Sequence, residues 1–330
     1  MKAIEYARHG VPQDVCHCID VDEAPAPGVG EITAEVLASA INPADLLIIE
    51  GLYPGPTELP ARQGIEAAGK VIAVGDGIDD LAVGDPVILL SRGNWAERIT
   101  VPAEQAIKVP AELDLLSAAQ IKANPPSAHF MLQDYKDLRE GDWVIQNAAT
   151  SAVGRHVIHL AARMGVKTAN VVRSEKPIEP LKAIGADLVL VDGDDLGARV
   201  RDEIGNANLP LALDAIGGKS CQNLADCLSD GGTVVNYGFL SGDPCMITPT
   251  QAIVHQITLE GFWLVKRLFQ SDRQDIVDTY DFIALLFIDG IIDAPVEATY
   301  TLDEIAEALE HAGRGGRHGK IVLTPNGPLD

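Results

Sequence analysis

The chain contains 330 residues, of which 47% are hydrophobic, and its 48 acidic and 25 basic side chains give a formal net charge of −23. A chain of this length can bury a large core and divide into two domains, and its negative charge disfavours nonspecific nucleic-acid binding, which needs a basic surface. No apolar run approaches the roughly 20 residues of a membrane-spanning helix.

The N-terminal segment MKAIEYARHGVP leads directly into strand-like alternation and has neither an apolar signal core nor an Arg-rich presequence. We therefore expect a cytoplasmic location. The five cysteines are scattered along the chain, which predicts reduced thiols. Cys16-His17-Cys18 has no second ligand pair at a spacing that would complete a structural zinc site, so we expect no metal there.

The pattern of predicted strands changes along the chain. Strand signals in residues 1–110 are short, alternating and broken by Gly and Pro, as in EITAEVLASAI and GKVIAVG, and they predict an antiparallel, barrel-like domain. From about residue 115, helices alternate with the apolar strands DWVIQNA, KTANVVR, DLVLVD, LALDAIG and GTVVNYG, which is the pattern of a doubly wound parallel sheet. After a helix near 273–288, PVEATYTL and GKIVLTP return to short strands. We predict an α/β fold with one domain from residues 1–115 and 295–330 and a second from residues 116–294.

The segment VIQNAATSAVGRHV reads as a strand, a polar turn and a helix. In the frame of a GxGxxG dinucleotide turn it supplies Ala149-Thr150-Ser151-Ala152-Val153-Gly154, so only the last glycine is present. Small residues replace the other two, and the helix N-terminus still offers free amides and a positive dipole end. The segment predicts a phosphate-binding turn; an ordinary capped turn before a helix is the alternative.

The end of the next strand, KTANVVRSEK, carries Arg173 and Ser174 where an NAD-preferring site has an acidic residue for the ribose hydroxyls. A guanidinium can bind a 2′-phosphate in bidentate fashion, so we predict NADPH as the cofactor. A solvated arginine at a strand end is the alternative.

The order of these parts resembles the medium-chain dehydrogenase/reductase superfamily, in which a Rossmann nucleotide-binding domain interrupts a GroES-like β-barrel domain. GIEAAGKVIAVG, VGDPVI and the turn carry this resemblance. Zinc members have a Cys before the first helix, a GHE motif and a four-Cys lobe, whereas this chain has INPADLL, Gly64-Ile65-Glu66 and no such lobe. The resemblance therefore implies a zinc-free member.

Among zinc-free members, the chain is similar to the 2-enoyl thioester reductases of the trans-2-enoyl-CoA reductase type. The segments INPADLLIIEGLYPG, KANPPSAHFML, DWVIQNAATSAVG, LALDAIGGKS, GGTVVNYG, LEGFWL and GKIVL follow in the family's order. The resemblance implies Tyr53 of GLYPG as the catalytic residue. It implies cofactor contacts at Asn124, Thr150, Ser151, Ala152, Val153, Arg173, Ser174, Tyr237, Gly238, Phe239, Leu240, Phe262, Trp263, Leu264 and Lys320.

Three positions depart from the family pattern. Ala152 replaces a common Gly, Phe239 replaces a small residue, and Glu175 stands where a second cation is often seen. Glu175 weakens the expectation of strict NADPH selectivity. Trp263, in the apolar segment GFWLV, is either a core residue or a wall of an acyl pocket.

The resemblance implies NADPH-dependent reduction of the α,β double bond of 2-enoyl thioesters carried by CoA or acyl carrier protein, with hydride to Cβ and a proton to Cα from Tyr53. A zinc-free NADPH:quinone oxidoreductase and a noncatalytic NADPH-binding protein are the alternatives. GTVVNYGFLSG and LEGFWLV resemble the edge-strand region through which related reductases form homodimers. A set of bases either forms a docking patch for the thioester carrier or is scattered in solvent: Lys266, Arg267, Arg273, Arg314, Arg317 and Lys320.

Overall fold

Short strands with alternating buried side chains form the first part of the chain, as their sequence predicts. In the longest of them Ile32, Ala34 and Val36 are fully buried at every second position. The elements of this part are β1 (Lys2–Tyr6), α1 (Pro12–Val15), β2 (Cys16–Asp20), β3 (Glu31–Ala40), α2 (Pro43–Glu50), β4 (Ala61–Arg62), β5 (Ala67–Val74), β6 (Pro86–Leu89), β7 (Arg98–Pro102), β8 (Ala106–Lys108) and α3 (Leu115–Ala118).

These strands pair antiparallel in two sheets. One has the order β2-β1-β4, and in the other β3, β5, β6 and β8 are consecutive neighbours, with β7 paired to β3. Apolar side chains from both sheets form separate cores, one of which contains the fully buried Trp95. The predicted antiparallel, barrel-like arrangement is confirmed.

The middle of the chain alternates helices and parallel strands. Its elements are α4 (Asn124–Asp134), β9 (Trp143–Gln146), α5 (Ala152–Arg163), β10 (Lys167–Val172), α6 (Ile178–Ala183), β11 (Leu188–Val191), α7 (Leu196–Ile204), β12 (Leu211–Asp214), α8 (Gly218–Ala225), β13 (Thr233–Asn236), α9 (Pro249–Ile253), β14 (Thr258–Gly261) and α10 (Leu264–Phe269). All six strands are parallel, in the order β11-β10-β9-β12-β13-β14. This is the strand order of a doubly wound dinucleotide-binding sheet, whose direction of winding reverses between β9 and β12.

The last part of the chain returns to the first sheet. It comprises α11 (Arg273–Ile288), β15 (Val296–Tyr300), α12 (Ile305–Gly313) and β16 (Lys320–Leu323). β16 pairs antiparallel with β3 and parallel with β15, so it completes the sheet that the first part began. The predicted return of the chain to the barrel-like domain follows from this pairing.

The computed structural model describes residues 1–329 and divides the chain into two units. The first unit contains Met1–Ala123 and the chain from Arg273 onward, and the second contains Asn124–Asp272. The sequence places these borders at 115/116 and 294/295. The difference arises because α11 is held in the first unit, where the Tyr280 hydroxyl donates to the Lys122 carbonyl at 3.0 Å.

Within residues 1–329, we find no helix with the length and apolar content to cross a bilayer. The same residues contain no group of three or more His, Cys, Asp and Glu side chains arranged to hold a metal ion.

Candidate active site

The turn from β9 to α5 makes a tight bend with few glycines. Ser151 caps α5, because its Oγ accepts a hydrogen bond from the Gly154 amide at 3.1 Å. Ala148 has a φ of +47°, a left-handed conformation that costs an alanine about 1 kcal/mol. The GxGxxG motif, as matched to the sequence, puts its first glycine at Ala149. In the structure the residue with the left-handed backbone is Ala148, one position earlier.

Gly154 is required by close packing. A Cβ added at this residue would lie 2.6 Å from the carbonyl oxygen of Ala149, so the helix and the turn approach to backbone contact. This is the packing role of the last glycine in a dinucleotide turn. Thr150 is exposed, Ser151 and Ala152 are half-buried, and Val153 is buried, so the predicted phosphate-binding residues lie together at the N-terminus of a 12-residue helix.

Polar side chains cross-link the carboxyl ends of β9, β12 and β13. Asn147 Nδ2 donates to Asp214 Oδ1 at 2.6 Å, and Asn236 Nδ2 donates to Asp214 Oδ2 at 2.8 Å. The Asp214 carboxylate also accepts from the amides of Ile216 and Gly217, each at 3.0 Å from Oδ1. This network was not predicted from the sequence, although each of the three strands VIQN, LALD and TVVN ends in a polar residue at its carboxyl end.

The segment after β13 is held close to the segment after β12. The Tyr237 amide donates to the Asp214 carbonyl at 2.9 Å and the Leu240 amide to the Ala215 carbonyl at 3.1 Å. A Cβ at Gly238 would lie 2.8 Å from the carbonyl oxygen of Ala215, so a side chain there would displace the segment. Phe239 is half-buried and Leu240 is exposed.

Tyr237 connects this segment to the turn. Its hydroxyl is buried beside Ser151, and burial raises the pKa of Tyr237 well above its ordinary value, so the phenol stays protonated. The structure thus brings the predicted Tyr237–Leu240 contacts and the predicted turn into one place.

Arg173 and Ser174 follow β10, the strand beside β9 in the sheet, and both side chains are exposed. Within residues 1–329, Arg173 makes no hydrogen bond or ion pair. Glu175 and Lys176 are also exposed. The guanidinium is available to an anionic ligand.

The segment after β14 continues from the edge of the same sheet. The Phe262 amide donates to the Asn236 carbonyl at 2.8 Å. Trp263 has an extended backbone and directly precedes α10. Its side chain is 42% exposed, so it is not a core residue. Leu264 begins α10, and Asn124 begins α4 as the first residue of the second unit.

Tyr53 lies in the first unit, in the loop after α2. The helix ends at Gly51, which has a φ of +78°, and the Leu52 amide closes the end by donating to the Leu47 carbonyl at 2.8 Å. A Cβ at Gly55 would lie 2.6 Å from Cγ2 of Ile48, so the loop folds back onto α2. Tyr53 is half-buried against the apolar core that contains Ile48.

A buried polar network joins the segment INPADLL to the segment Gly64-Ile65-Glu66 in the first unit. Asn42 Nδ2 donates to Glu66 Oε1, and the Ala123 amide donates to Glu66 Oε2 at 3.1 Å. Asp45 accepts from Gln63 Nε2 at 2.9 Å, and burial raises the pKa of Asp45 to about 6. This network was not predicted from the sequence.

Lys320, a predicted cofactor contact, belongs to this network. Its side chain is 92% buried (8% exposed), and its Nζ donates to Asn42 Oδ1. Burial lowers the pKa of Lys320 to about 8, and the nearby Glu66 opposes this change. The structure therefore places Lys320 in the first unit as an internal cation, and its contact with the cofactor stays a prediction.

Two family models match the chain, the alcohol dehydrogenase GroES-like domain over residues 28–111 and the zinc-binding dehydrogenase domain over residues 152–283. The mitochondrial enoyl-[acyl-carrier-protein] reductase of Rattus norvegicus is 34% identical over 331 residues, which cover 98% of this chain and 88% of the rat protein.

Solved structures show the same similarity. The complex of Etr1p with NADP and crotonyl-CoA has a TM-score of 0.86 at 26% identity, covering 98% of this chain and 99% of Etr1p, the mitochondrial 2-enoyl thioester reductase of Candida tropicalis. A Bacillus thuringiensis protein described as an NADPH:quinone reductase has a TM-score of 0.91 at 25% identity, covering 98% of both chains.

The cytoplasmic location expected from the sequence is wrong by this comparison, because the rat relative and Etr1p are both named as mitochondrial proteins. Lys2–Tyr6 of the N-terminal segment on which the expectation depended form β1, so the composition of these residues reflects a strand of the fold.

Proposed function

This chain belongs to the medium-chain dehydrogenase/reductase family, within its enoyl thioester reductases, and on that premise we propose that it reduces the α,β double bond of 2-enoyl thioesters with NADPH. The observation that carries the proposal is the similarity to an enoyl reductase over 98% of the chain, which includes the cofactor turn and the GLYPG loop. The rat relative is named for a carrier-protein thioester, and Etr1p was solved with crotonyl-CoA.

The second unit has the features that suit NADPH. The N-terminus of α5 offers amides and a positive dipole end to a pyrophosphate, and the exposed Arg173 can bind a 2′-phosphate through two parallel hydrogen bonds. Gly238 keeps the segment after β13 packed against the Ala215 backbone, which holds the predicted contacts at Tyr237–Leu240 in place. NADPH supplies the hydride when it is bound.

We assign Tyr53 as the proton donor of the reaction. Addition of hydride at Cβ leaves an enolate, with negative charge shared between Cα and the thioester oxygen, and a proton must then reach Cα. A phenol with a reference pKa of about 10 stays protonated at neutral pH and can give that proton. General acid catalysis of this kind contributes about 10² to 10⁴ in rate.

The chain is proposed to act as a homodimer. β14 is the edge strand of the second unit's sheet, it pairs only with β13 among the described residues, and Thr258, Glu260 and Gly261 on it are exposed. An edge strand presents unpaired backbone groups that a second strand can bind. Light scattering during gel filtration should give twice the chain mass of 35.0 kDa, and a single-chain particle would contradict the dimer.

The second candidate is an NADPH:quinone oxidoreductase, favoured by the TM-score of 0.91 with the Bacillus thuringiensis protein. A noncatalytic NADPH-binding protein is the third. One assay separates them, namely NADPH oxidation with crotonyl-CoA, a longer 2-enoyl-CoA and a simple quinone measured side by side. We expect turnover with the enoyl thioesters; turnover with the quinone alone would establish the second candidate, and binding without any turnover the third.

A further inference from the structure

A short turn in the first unit, Ser-Arg-Gly-Asn at residues 91–94, is fixed by buried hydrogen bonds. Asn94 is fully buried, and its Nδ2 donates to the Ser91 carbonyl at 2.8 Å and to the Gly64 carbonyl at 3.1 Å. Its Oδ1 accepts from the Ser91 hydroxyl at 2.8 Å. The two ends of the turn are therefore tied to each other and to the chain before β5.

A lysine and a glycine restrict this turn further. Lys122 Nζ donates to the Ser91 carbonyl at 3.1 Å and also to the Ile65 carbonyl. Gly93 has a φ of +81°, a left-handed conformation that glycine adopts without steric cost. Arg92, between Ser91 and Gly93, is thus an exposed side chain on a rigid backbone.

Arg92 extends from the turn to the loop that carries Tyr53. Its Nη1 donates to the carbonyl of Pro54, the residue after Tyr53, at 3.1 Å. Within residues 1–329, this is the only hydrogen bond made by residues 54–59, and Arg92 makes no ion pair. The guanidinium is therefore the one polar group in the described part of the chain that holds the loop beyond Tyr53.

We infer that Arg92 is a positioning residue for Tyr53, an inference that rests on the proposed enoyl reduction with Tyr53 as proton donor. The Tyr53 hydroxyl must lie within hydrogen-bond reach of the group that receives its proton, and a displacement of about 1 Å can cost about a hundredfold in rate. Tyr53 and Pro54 share a planar peptide bond, so a hydrogen bond that fixes the Pro54 carbonyl also restricts the backbone of Tyr53. Arg92 acts through Tyr53 and contacts no reacting atom in this assignment.

Arg92→Ala removes the contact, and Arg62→Ala is its matched control. Arg62 lies on β4, directly after the same loop, and its side chain is exposed and makes no hydrogen bond or ion pair within residues 1–329. With crotonyl-CoA and saturating NADPH, we expect kcat to fall about tenfold to a hundredfold in Arg92→Ala and to stay within about twofold in Arg62→Ala. NADPH affinity should not change in either variant. Arg92→Lys, which can still donate to the Pro54 carbonyl, should recover part of the loss.

The same substitution in the Tyr53→Phe background tests whether Arg92 acts through the Tyr53 hydroxyl. Once that hydroxyl is absent, Arg92→Ala has nothing left to misplace and should not lower kcat further. An equal fold loss in both backgrounds would show that Arg92 acts elsewhere and would overturn the inference. An equal loss in Arg62→Ala would overturn it too, because the effect would then come from charge and not from the contact with the loop.

A measurement that needs no turnover follows the loop itself. Glutamyl endopeptidase cleaves after the exposed Glu58, and a loop that is held less tightly should be cleaved faster. Mass spectrometry should show severalfold faster cleavage in Arg92→Ala than in the wild type or Arg62→Ala. If the wild type does not reduce crotonyl-CoA, the proposed reduction fails and the role of Arg92 fails with it. If the wild type reduces it, and Arg92→Ala is cleaved and turns over at the wild-type rates, the inference alone fails.

Discussion

Arg173 is the residue that we expect to set the choice of nicotinamide cofactor. Its guanidinium is exposed and without a partner in the described part of the chain, and only NADPH carries a 2′-phosphate. A hydrogen bond to a charged group contributes about 1.5 to 3 kcal/mol, so Arg173→Ala should lower the preference for NADPH over NADH by about tenfold to a hundredfold. The measurement is the ratio of kcat/KM values for the two cofactors.

Arg173→Lys is the matched control for that experiment. It keeps the charge but loses the planar fork, so it should retain part of the preference. Equal losses for NADPH and NADH in Arg173→Ala would exclude the proposed phosphate contact.

Tyr53 is tested by removal of a single oxygen atom. Tyr53→Phe keeps the ring that packs on the apolar core of the first unit but removes the hydroxyl that we propose as the proton donor. We expect kcat and kcat/KM for crotonyl-CoA to fall together by about 10² or more, with NADPH affinity unchanged, because the lost interaction is made in the transition state.

Tyr300→Phe is the control for Tyr53→Phe. Tyr300 packs against the same core, and its hydroxyl bonds to Nδ1 of His311 at 2.9 Å. This variant should lose some stability and keep its turnover. Unchanged turnover in Tyr53→Phe would remove Tyr53 from the chemistry.

At the scale of elements, the turn before α5 stores strain that a glycine should release. Ala148 has a φ of +47°, which glycine adopts without steric cost. We expect Ala148→Gly to raise the free energy of unfolding by up to about 1 kcal/mol, less the greater backbone entropy that glycine loses on folding. Denaturant unfolding followed by circular dichroism measures the change.

Gly154→Ala tests the opposite side of the same turn. Its added methyl group would lie 2.6 Å from the Ala149 carbonyl oxygen, so this variant should be destabilised and should bind NADPH more weakly. If Ala148→Gly were as damaging as Gly154→Ala, the left-handed assignment of Ala148 would be incorrect.

The buried cation of β16 should be tightly coupled to the buried acid before β5. Lys320→Met leaves the Glu66 carboxylate buried without this counter-charge, which costs about 3 to 5 kcal/mol when a buried pair is broken. The double variant Lys320→Met with Glu66→Gln should recover part of the lost melting temperature, because the buried carboxylate charge is removed, while the buried Lys122 loses its attraction to Glu66. Melting temperatures that add across the two single changes would show that the two groups do not interact.

Local sequence patterns predicted the helices and strands, but they did not predict contacts between segments that are distant in the chain. The apolar strands VIQN, LALD and TVVN follow from residues within a few positions of one another. Asn42 and Lys320 are 278 residues apart in the chain, and neither segment alone indicates that they meet. The apolar periodicity of α11 likewise predicts a helix but not which unit it packs in, which Tyr280 determines through Lys122.

At the scale of the whole molecule, the net charge of −23 should make stability depend on salt. Self-repulsion of this size favours the unfolded chain, and added salt screens it. Salt also weakens ion pairs, but exposed pairs such as Arg139–Asp137 and Lys182–Glu179 contribute at most about 1 kcal/mol each. Added salt should therefore stabilise the fold more by screening the repulsion between acidic side chains than it destabilises the fold by weakening ion pairs.

We expect the melting temperature to rise as KCl is increased from about 0.1 M to about 1 M, over which the Debye length falls from about 10 Å to about 3 Å. Asp79, Asp202 and Glu203 are exposed and make no ion pair within residues 1–329. The triple variant Asp79→Asn, Asp202→Asn, Glu203→Gln should therefore be more stable than the wild type at low salt, and its melting temperature should respond less to KCl. Scanning calorimetry of both proteins across the same salt series measures this. A melting temperature that falls with KCl in the wild type would mean that its ion pairs outweigh the repulsion between like charges. The acidic side chains would then stabilise the fold through their ion pairs more than they destabilise it through repulsion.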